Sequence, residues 1–174
     1  MKAPQNEEIF KVTDSQSFER MALKVFRFQA ARCPVYGEYV RLLGIDPDRI
    51  ENIFAIPFMP VSFFRDHLIM TGGGEPEKVF LSSGTAGMRQ STHSVKSLAL
   101  YDESLERSFS IFYGNPSQYA IMGLLPSYLE REGSSLIYMV NRLMTLSGND
   151  NGGFFLDDYA GLLRSIKKSR AAGL

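Results

Sequence analysis

The sequence contains no tryptophan, one cysteine and two histidines, and its formal net charge is zero. A single cysteine cannot form an internal disulfide and has no cysteine partner for a metal cluster. The 19 Lys and Arg residues balance the 19 Asp and Glu residues. This balance argues against a dedicated nucleic-acid binder, because binding to a phosphate backbone usually requires an excess of clustered basic side chains.

Long hydrophobic runs are also missing from the chain. No window approaches the roughly 18–20 apolar residues of a membrane span. The apolar stretch Ile53–Phe64 is interrupted by Pro57 and Pro60. The first eight residues contain no apolar run of the kind that forms a secretory signal. The sequence therefore predicts a cytoplasmic protein without a membrane span.

The composition that remains is typical of a folded globular chain. Hydrophobic residues make up 44% of the sequence and charged residues 22%, close to globular averages. Thirteen Phe and eight Tyr residues can fill a sizeable core without tryptophan. A length of 174 residues allows one domain of ordinary size and argues against two full domains.

The first part of the chain, 1–66, predicts a helical lead-in that packs on the remainder. Its proline-punctuated apolar stretch is too interrupted for a central strand or a long helix. The predicted elements are a helix that is capped by Ser15 or Ser17 and runs to about Arg32, a helix Tyr36–Leu43 closed by Gly44, and the apolar stretch Ile50–Arg65.

The second part, 67–174, predicts an α/β subdomain because apolar strands alternate with amphipathic helices. This alternation favours a mainly parallel sheet flanked by helices. The predicted strands are Leu68–Thr71, Lys78–Leu81, Gln118–Leu125 and Gly153–Leu156, and the predicted helices are Ser94–Tyr113, Ser134–Leu146 and Tyr159–Arg170. We expect Asp157 and Asp158 to lie at the start of the last helix, where carboxylates cap helices well.

Residues 82–87 read Ser-Ser-Gly-Thr-Ala-Gly and carry the most chemical information in the chain. Hydroxyl groups can donate hydrogen bonds to an anion, and glycines let backbone N–H groups approach it closely. The segment matches neither the Walker A loop nor the dinucleotide-binding pattern. From the residues alone, a phosphate-binding loop and an ordinary Gly/Ser turn remain equally open. The candidate phosphate ligands are Ser82, Ser83, Gly84, Thr85 and Gly87.

The same six residues resemble the Ser-Ser-Gly-Thr-Thr-Gly signature of the AMP-forming adenylating enzymes, the acyl-CoA synthetase superfamily. Five of the six positions match, with Ala86 in place of the second Thr. The segment Ile56–Arg65 resembles the Ile-Pro-x-x-Pro-x-x-x-Phe-Lys lead-in of one branch, which holds LuxE-type acyl-protein synthetases and phenylacetate-CoA-ligase-like enzymes. Residues 90–93, 125–128 and 134–139 are also similar to that branch.

The resemblance implies a fold like the first part of the adenylating-enzyme large domain, and it implies a reaction. ATP and a fatty or aryl carboxylic acid would form an acyl-adenylate and pyrophosphate, followed by acyl transfer to a thiol of CoA or of an acyl-accepting protein. ATP and Mg²⁺ are the implied cofactors. The loop residues would hold the β- and γ-phosphates, and Arg89 would supply a cation where many relatives have Lys. A solvent-facing Arg89 is an equal alternative.

Later parts of the family pattern are missing from this sequence. Gly152–Tyr159 does not match the aromatic-Gly-x-x-Glu segment, and these 174 residues include no counterpart of the family's C-terminal domain with its catalytic Lys. We therefore expect the chain to correspond to the N-terminal part of a longer enzyme and to be slow or inactive alone. An exposed apolar face would then allow a homodimer. The alternative is a non-catalytic module that binds a nucleotide, another anion or a partner protein.

Two isolated residues could also carry chemistry. Cys33 is predicted to be a buried, inert thiol, because nothing nearby in the sequence obviously activates it. His93 follows the loop closely enough to reach a phosphate or a substrate. A structural role is favoured for His93, because a lone histidine shows no partner pattern.

Overall fold

The computed structural model describes residues 2–82, 90–127 and 133–173. The described residues form two compact units. The first unit contains 2–79 and 90–97, and the second contains 80–82, 98–127 and 133–173. The architecture is mixed α/β, with helices predominating over two small sheets.

The described elements alternate irregularly between helices, short strands and 3₁₀ turns. The helices are α1 (Asn6–Ile9), α2 (Ser15–Arg32), α3 (Pro34–Leu42), α4 (Phe63–Asp66), α5 (Leu98–Tyr113), α6 (Ser135–Ser147) and α7 (Tyr159–Ala171). The strands are β1 (Lys78–Leu81), β2 (Thr92–Val95), β3 (Met122–Gly123) and β4 (Gly153–Phe154). The 3₁₀ turns are Pro47–Arg49, Ile53–Ala55 and Pro116–Gln118. Within these described ranges, no helix is both long enough and apolar enough to cross a membrane.

Helix α2 begins at Ser15 itself, so neither Ser15 nor Ser17 is its N-cap residue. Asp14 is the N-cap residue, and its carboxylate accepts a hydrogen bond of 2.7 Å from the backbone N–H of Ser17. The Ser17 hydroxyl in turn accepts from the backbone N–H of Asp14 at 3.1 Å. This reciprocal pair satisfies two backbone donors at the start of the helix. The predicted end of the helix at Arg32 is confirmed.

Helix α3 packs closely against α2 and completes the core of the first unit. Pro34 opens α3, because its fixed φ suits the first turn of a helix. A Cβ at Gly37 would approach the backbone oxygen of Ala30 more closely than the 3.0 Å that real Cβ atoms respect. Glycine at this position therefore lets the two helices approach each other. The buried core residues between them are Phe26, Cys33, Tyr36 and Val40.

The segment Ile50–Arg65 forms neither a strand nor a long helix, as its prolines predict. It contains the Ile53–Ala55 turn and ends in α4. The predicted strand Leu68–Thr71 is wrong, because these residues form no strand pairing. Just after them, the backbone N–H of Gly72 donates to the carbonyl oxygen of Arg32 at 2.8 Å. The chain is thereby tied to the end of α2 rather than to a sheet.

A glycine turn leads from this segment towards β1. Gly72, Gly73 and Gly74 all have positive φ, between 62° and 87°. Residues with a Cβ rarely adopt a backbone conformation in this left-handed region, whereas glycine adopts it at no steric cost. Three successive glycines thus reverse the chain within an exposed turn.

Strand β1 has the predicted bounds and pairs with β2 in a two-stranded sheet. The helix predicted from Ser94 instead begins at Leu98, because residues 92–95 are extended. Ser94 and Val95 are buried in this strand. β-Branched residues such as Thr92 and Val95 fit a pleated strand better than the first turn of a helix.

The predicted strand Gln118–Leu125 is reduced to β3, which pairs in parallel with β4. Its first residues are held by hydrogen bonds to other elements, since the Ser147 hydroxyl donates to the backbone oxygen of Tyr119. β4 is also shorter than predicted, and the chain leaves it at Leu156, which has a φ of 41°. The part of the chain that the structure describes therefore shows a short parallel pair, not a mainly parallel sheet.

Helices α6 and α7 follow their sequence signals closely. The Ser134 hydroxyl accepts from the backbone N–H of Ile137 at the start of α6. The Asp158 carboxylate accepts from the backbone N–H of Gly161 at 2.8 Å at the start of α7. The predicted capping role of Asp158 is thereby confirmed.

Candidate functional site

The predicted phosphate-binding residues lie mostly outside the described residues. Ser82 is described, is exposed and directly follows β1. The other five, which are Ser83, Gly84, Thr85, Gly87 and Arg89, fall in the undescribed range 83–89. Their predicted contacts with phosphate therefore stay predictions.

The last two residues of the strand before this loop are fixed within the second unit. Phe80 is buried, and its ring lies 5.1 Å from that of Tyr101 and 5.3 Å from that of Tyr138. The backbone N–H of Leu81 donates to the carbonyl oxygen of Gly133 at 2.8 Å. Ser82 thus follows a strand end whose last two residues are immobilised by packing and hydrogen bonding.

His93 lies on β2 with an exposed side chain. Its ring lies edge-on to Phe64 of α4, with centroids 6.3 Å apart. The neighbouring Thr92 hydroxyl donates to the backbone oxygen of Phe64 at 3.4 Å. These contacts attach β2 to α4 within the first unit.

An apolar cavity of about 600 Å³ lies in the first unit. One wall is a face of α2, formed by Phe18, Ala22, Val25 and Gln29. Residues at such spacings of three and four share one helix face. Such an apolar helix face is normally buried against a neighbouring element. Here it lines the cavity.

The opposite wall of the cavity comes from the proline-rich segment and α4. Ile53, Ile56, Met59 and Phe64 contribute its inner surface. Phe54 and Phe58 also border the cavity, yet they are 89% and 82% exposed. These two rings therefore form an aromatic rim at its mouth.

Hydrogen bonds from α2 and α3 hold this wall in place. The Arg27 guanidinium donates to the carbonyl oxygens of Pro47 at 3.2 Å and Ile50 at 2.7 Å. The Tyr36 hydroxyl donates to the carbonyl oxygen of Pro57 at 2.8 Å. These bonds attach the backbone of this segment to α2 and α3.

The floor of the cavity contains Cys33 and Tyr36. Cys33 is 3% exposed, which confirms that its thiol is buried. Burial is the main cause that raises the pKa of Tyr36 to about 12, so its hydroxyl stays neutral and keeps its proton for Pro57.

No residue that lines this cavity carries a charged side chain, and all of them are described. Gln29 and Thr71 supply the hydrogen-bonding groups of the wall, apart from the buried Tyr36 hydroxyl and Cys33 thiol. This cavity was not predicted from the sequence. The sequence does contain two features that could have indicated it: an apolar face on α2, and a downstream apolar segment that its prolines prevent from forming a packed helix.

Four ionisable side chains of the second unit form a cluster that bridges two helices: Asp102, Glu106, Tyr138 and Arg142. The Tyr138 hydroxyl donates to Asp102 at 2.7 Å. The Arg142 guanidinium donates to Glu106 at 2.6 and 3.0 Å, which raises the pKa of Arg142. These bonds join α5 to α6. Across the described ranges, no group of three or more His, Cys, Asp or Glu side chains could hold a metal ion.

Comparison with known proteins adds no relative, since no family model, curated protein or solved structure matches the chain.

Proposed function

We propose that this chain is the phosphate-binding part of an enzyme that uses ATP to activate a carboxylic acid. In this proposal, the acid becomes an acyl-adenylate, pyrophosphate leaves, and the acyl group passes to a thiol. The observation that carries the proposal is the Ser-Ser-Gly-Thr-Ala-Gly sequence at residues 82–87, flanked by the paired strands β1 and β2.

The flanking structure supports this role on physical grounds. Donors stabilise developing charge best when they are preorganised, because no reorganisation is then needed during the reaction. Packing around Phe80 and the hydrogen bond at Leu81 fix the strand that ends at Ser82. A loop that starts from a fixed strand end begins with its first hydroxyl already positioned.

The proposed cofactors are ATP and Mg²⁺. Ser82 is the one proposed ATP ligand that is described, and among the described residues no side-chain cluster could hold a metal ion. Mg²⁺ is often bound largely through substrate phosphates and water rather than by a dedicated protein cage. We therefore place the ion with the nucleotide and assign it no protein ligand.

The proposal also includes the partners and the wider fold. The substrates are a fatty or aryl acid and a thiol of CoA or of an acyl-accepting protein, and the location is cytoplasmic. The wider fold in this proposal resembles the first part of the adenylating-enzyme large domain, and the short parallel pair β3–β4 is the described feature that agrees with it. Exposed apolar residues on α7, such as Leu163 and Ile166, support a homodimer.

ATP binding by the chain tests the central claim. We expect Ser83→Ala and Thr85→Ala each to weaken ATP binding about tenfold or more, since a hydrogen bond to a charged group contributes about 1.5–3 kcal/mol. Ser104→Ala, which removes an exposed hydroxyl on α5, is the matched control and should change nothing. Calorimetry measures all four proteins.

Two results would count against the proposal. Unchanged ATP binding in both loop variants would reject the role of residues 82–87. ATP binding that depends on the loop, but with no acid-dependent exchange between ATP and pyrophosphate in any longer version of the chain, would favour a non-catalytic nucleotide-binding module.

A further inference from the structure

The cavity of the first unit has the size and lining of a small-molecule site. Ligand pockets are usually clefts of about 300–1,000 Å³ with mostly apolar walls and a few polar groups. This cavity measures about 600 Å³, and most of its lining is aromatic or aliphatic.

The cavity is also preformed. Arg27 ties the 3₁₀ turn at Pro47 and the backbone of Ile50 to α2, and Tyr36 ties Pro57 to α3. Pro57 and Pro60 further restrict the backbone between the walls. A ligand would therefore meet walls that are already ordered, which lowers the entropic cost of binding.

The chemistry of the lining limits the charge of the ligand. No Lys or Arg lines the cavity, so a carboxylate or phosphate within it would lose water without gaining a cation. No Asp or Glu lines it either, so an ammonium group is equally disfavoured. The Gln29 amide and the Thr71 hydroxyl can each hydrogen-bond to a neutral oxygen.

The geometry points to a binding site for an uncharged aliphatic compound with one hydrogen-bonding head group, such as a long-chain alcohol. Its hydrocarbon chain lies between the α2 face and the proline-rich wall, and Phe54 and Phe58 pack against it at the mouth. Its hydroxyl bonds to Gln29 or Thr71. The site is formed by residues 18–71 alone and does not depend on the nucleotide-binding role of residues 82–87.

Calorimetry with ligands of equal chain length tests the charge rule. Decanol should bind in a saturable manner, and decanoate and decylammonium should bind at least tenfold more weakly at neutral pH. Along the series octanol, decanol and dodecanol, affinity should rise by up to about fourfold per added methylene until the cavity is filled.

A cavity-filling variant tests the location of the site. Ala22→Phe places a ring on the α2 wall and should reduce decanol affinity more than tenfold. Ala99→Phe, at an exposed position of α5, is the matched control. ATP binding should be the same in both variants, so failure of this site and failure of the nucleotide site are distinguishable.

The native protein provides a second readout that needs no substitution. Cys33 is the only cysteine of the chain and lines the cavity. Saturating decanol should slow its reaction with a thiol reagent severalfold, whereas the same concentration of decanoate should not. Equal or tighter binding of decanoate, no saturable decanol binding, or unchanged binding in Ala22→Phe would each overturn the inference.

Discussion

Replacing Gly37 by Ala tests the close approach of α2 and α3 on which the first unit depends. The new Cβ would fall inside 3.0 Å of the Ala30 carbonyl oxygen, which is a backbone atom and cannot rotate away. Helix α3 would have to move by several tenths of an ångström, and Tyr36 and Val40 would move with it. Both side chains belong to the buried core.

Two effects of opposite sign set the expected magnitude. Overpacking in a well-packed core usually costs about 1–3 kcal/mol. Alanine is favoured over glycine in a helix interior by about 1 kcal/mol. Because the obstructing atom is backbone, we expect the steric effect to prevail and the free energy of unfolding of Gly37→Ala to fall by about 1–2 kcal/mol.

Urea denaturation followed by circular dichroism measures this change. A loss of 1–2 kcal/mol corresponds to a fall in melting temperature of roughly 2–8 °C for a chain of this size. Leu42→Ala, on the same helix but exposed, is the control and should stay within about 0.5 kcal/mol of the native protein. A Gly37→Ala protein as stable as the native one, or more stable, would refute the close helix contact.

Two further predictions concern the ionisable groups. The hydrogen bond from the Ser17 backbone, followed by the Ser17 hydroxyl, lowers the pKa of Asp14 below its usual 3.8, so the charged form is favoured in the folded state. The stability that this carboxylate contributes is therefore present above its ordinary pKa and is lost as the pH falls through the lowered value. An Asp14→Ala protein should lose less stability than the native protein between about pH 4 and pH 2, and equal acid sensitivity in urea titrations would contradict this. In the second unit, a double-mutant cycle with Arg142→Met and Glu106→Gln should give a coupling of about 0.5–1 kcal/mol, because the pair is part-exposed and screened by water. A coupling of zero would show that the contact between α5 and α6 at this pair contributes nothing to the free energy of unfolding.

Local signals in the sequence were sufficient to locate the five longer helices, although α5 begins four residues later than predicted and the short helices α1 and α4 were not predicted. Pro34 and the apolar spacing of α2 gave the helix boundaries within a few residues, and Asp158 was identified as a helix cap. The N-cap of α2 was missed because Asp14, Ser15 and Ser17 are all good capping residues, and only the geometry distinguishes them. Helix formation depends on neighbours within four residues, which a sequence displays directly.

Strands and the cavity were harder to predict, because both depend on distant partners. Leu68–Thr71 has the apolar character of a strand, but the backbone N–H of its neighbour Gly72 donates to the carbonyl oxygen of Arg32, and Leu68–Thr71 pairs with no strand of the described ranges. Gln118–Leu125 keeps only two residues in a parallel ladder with β4. The wall of the cavity depends on hydrogen bonds from Arg27 to Pro47 and Ile50, which lie 20 and 23 positions away in the sequence, and no periodicity predicts such contacts.

The turn at Gly72–Gly74 contains three exposed positions at which substitutions are disfavoured by backbone conformation. All three residues are exposed, and a Cβ on Gly73 or Gly74 would meet nothing within 4 Å. Steric contact therefore does not limit substitution at Gly73 or Gly74. Each φ nevertheless lies in the region where an L-residue is strained by about 1–2 kcal/mol. Substitutions should be accepted at the adjacent exposed Glu75 and selected against at the three glycines, although solvent surrounds both.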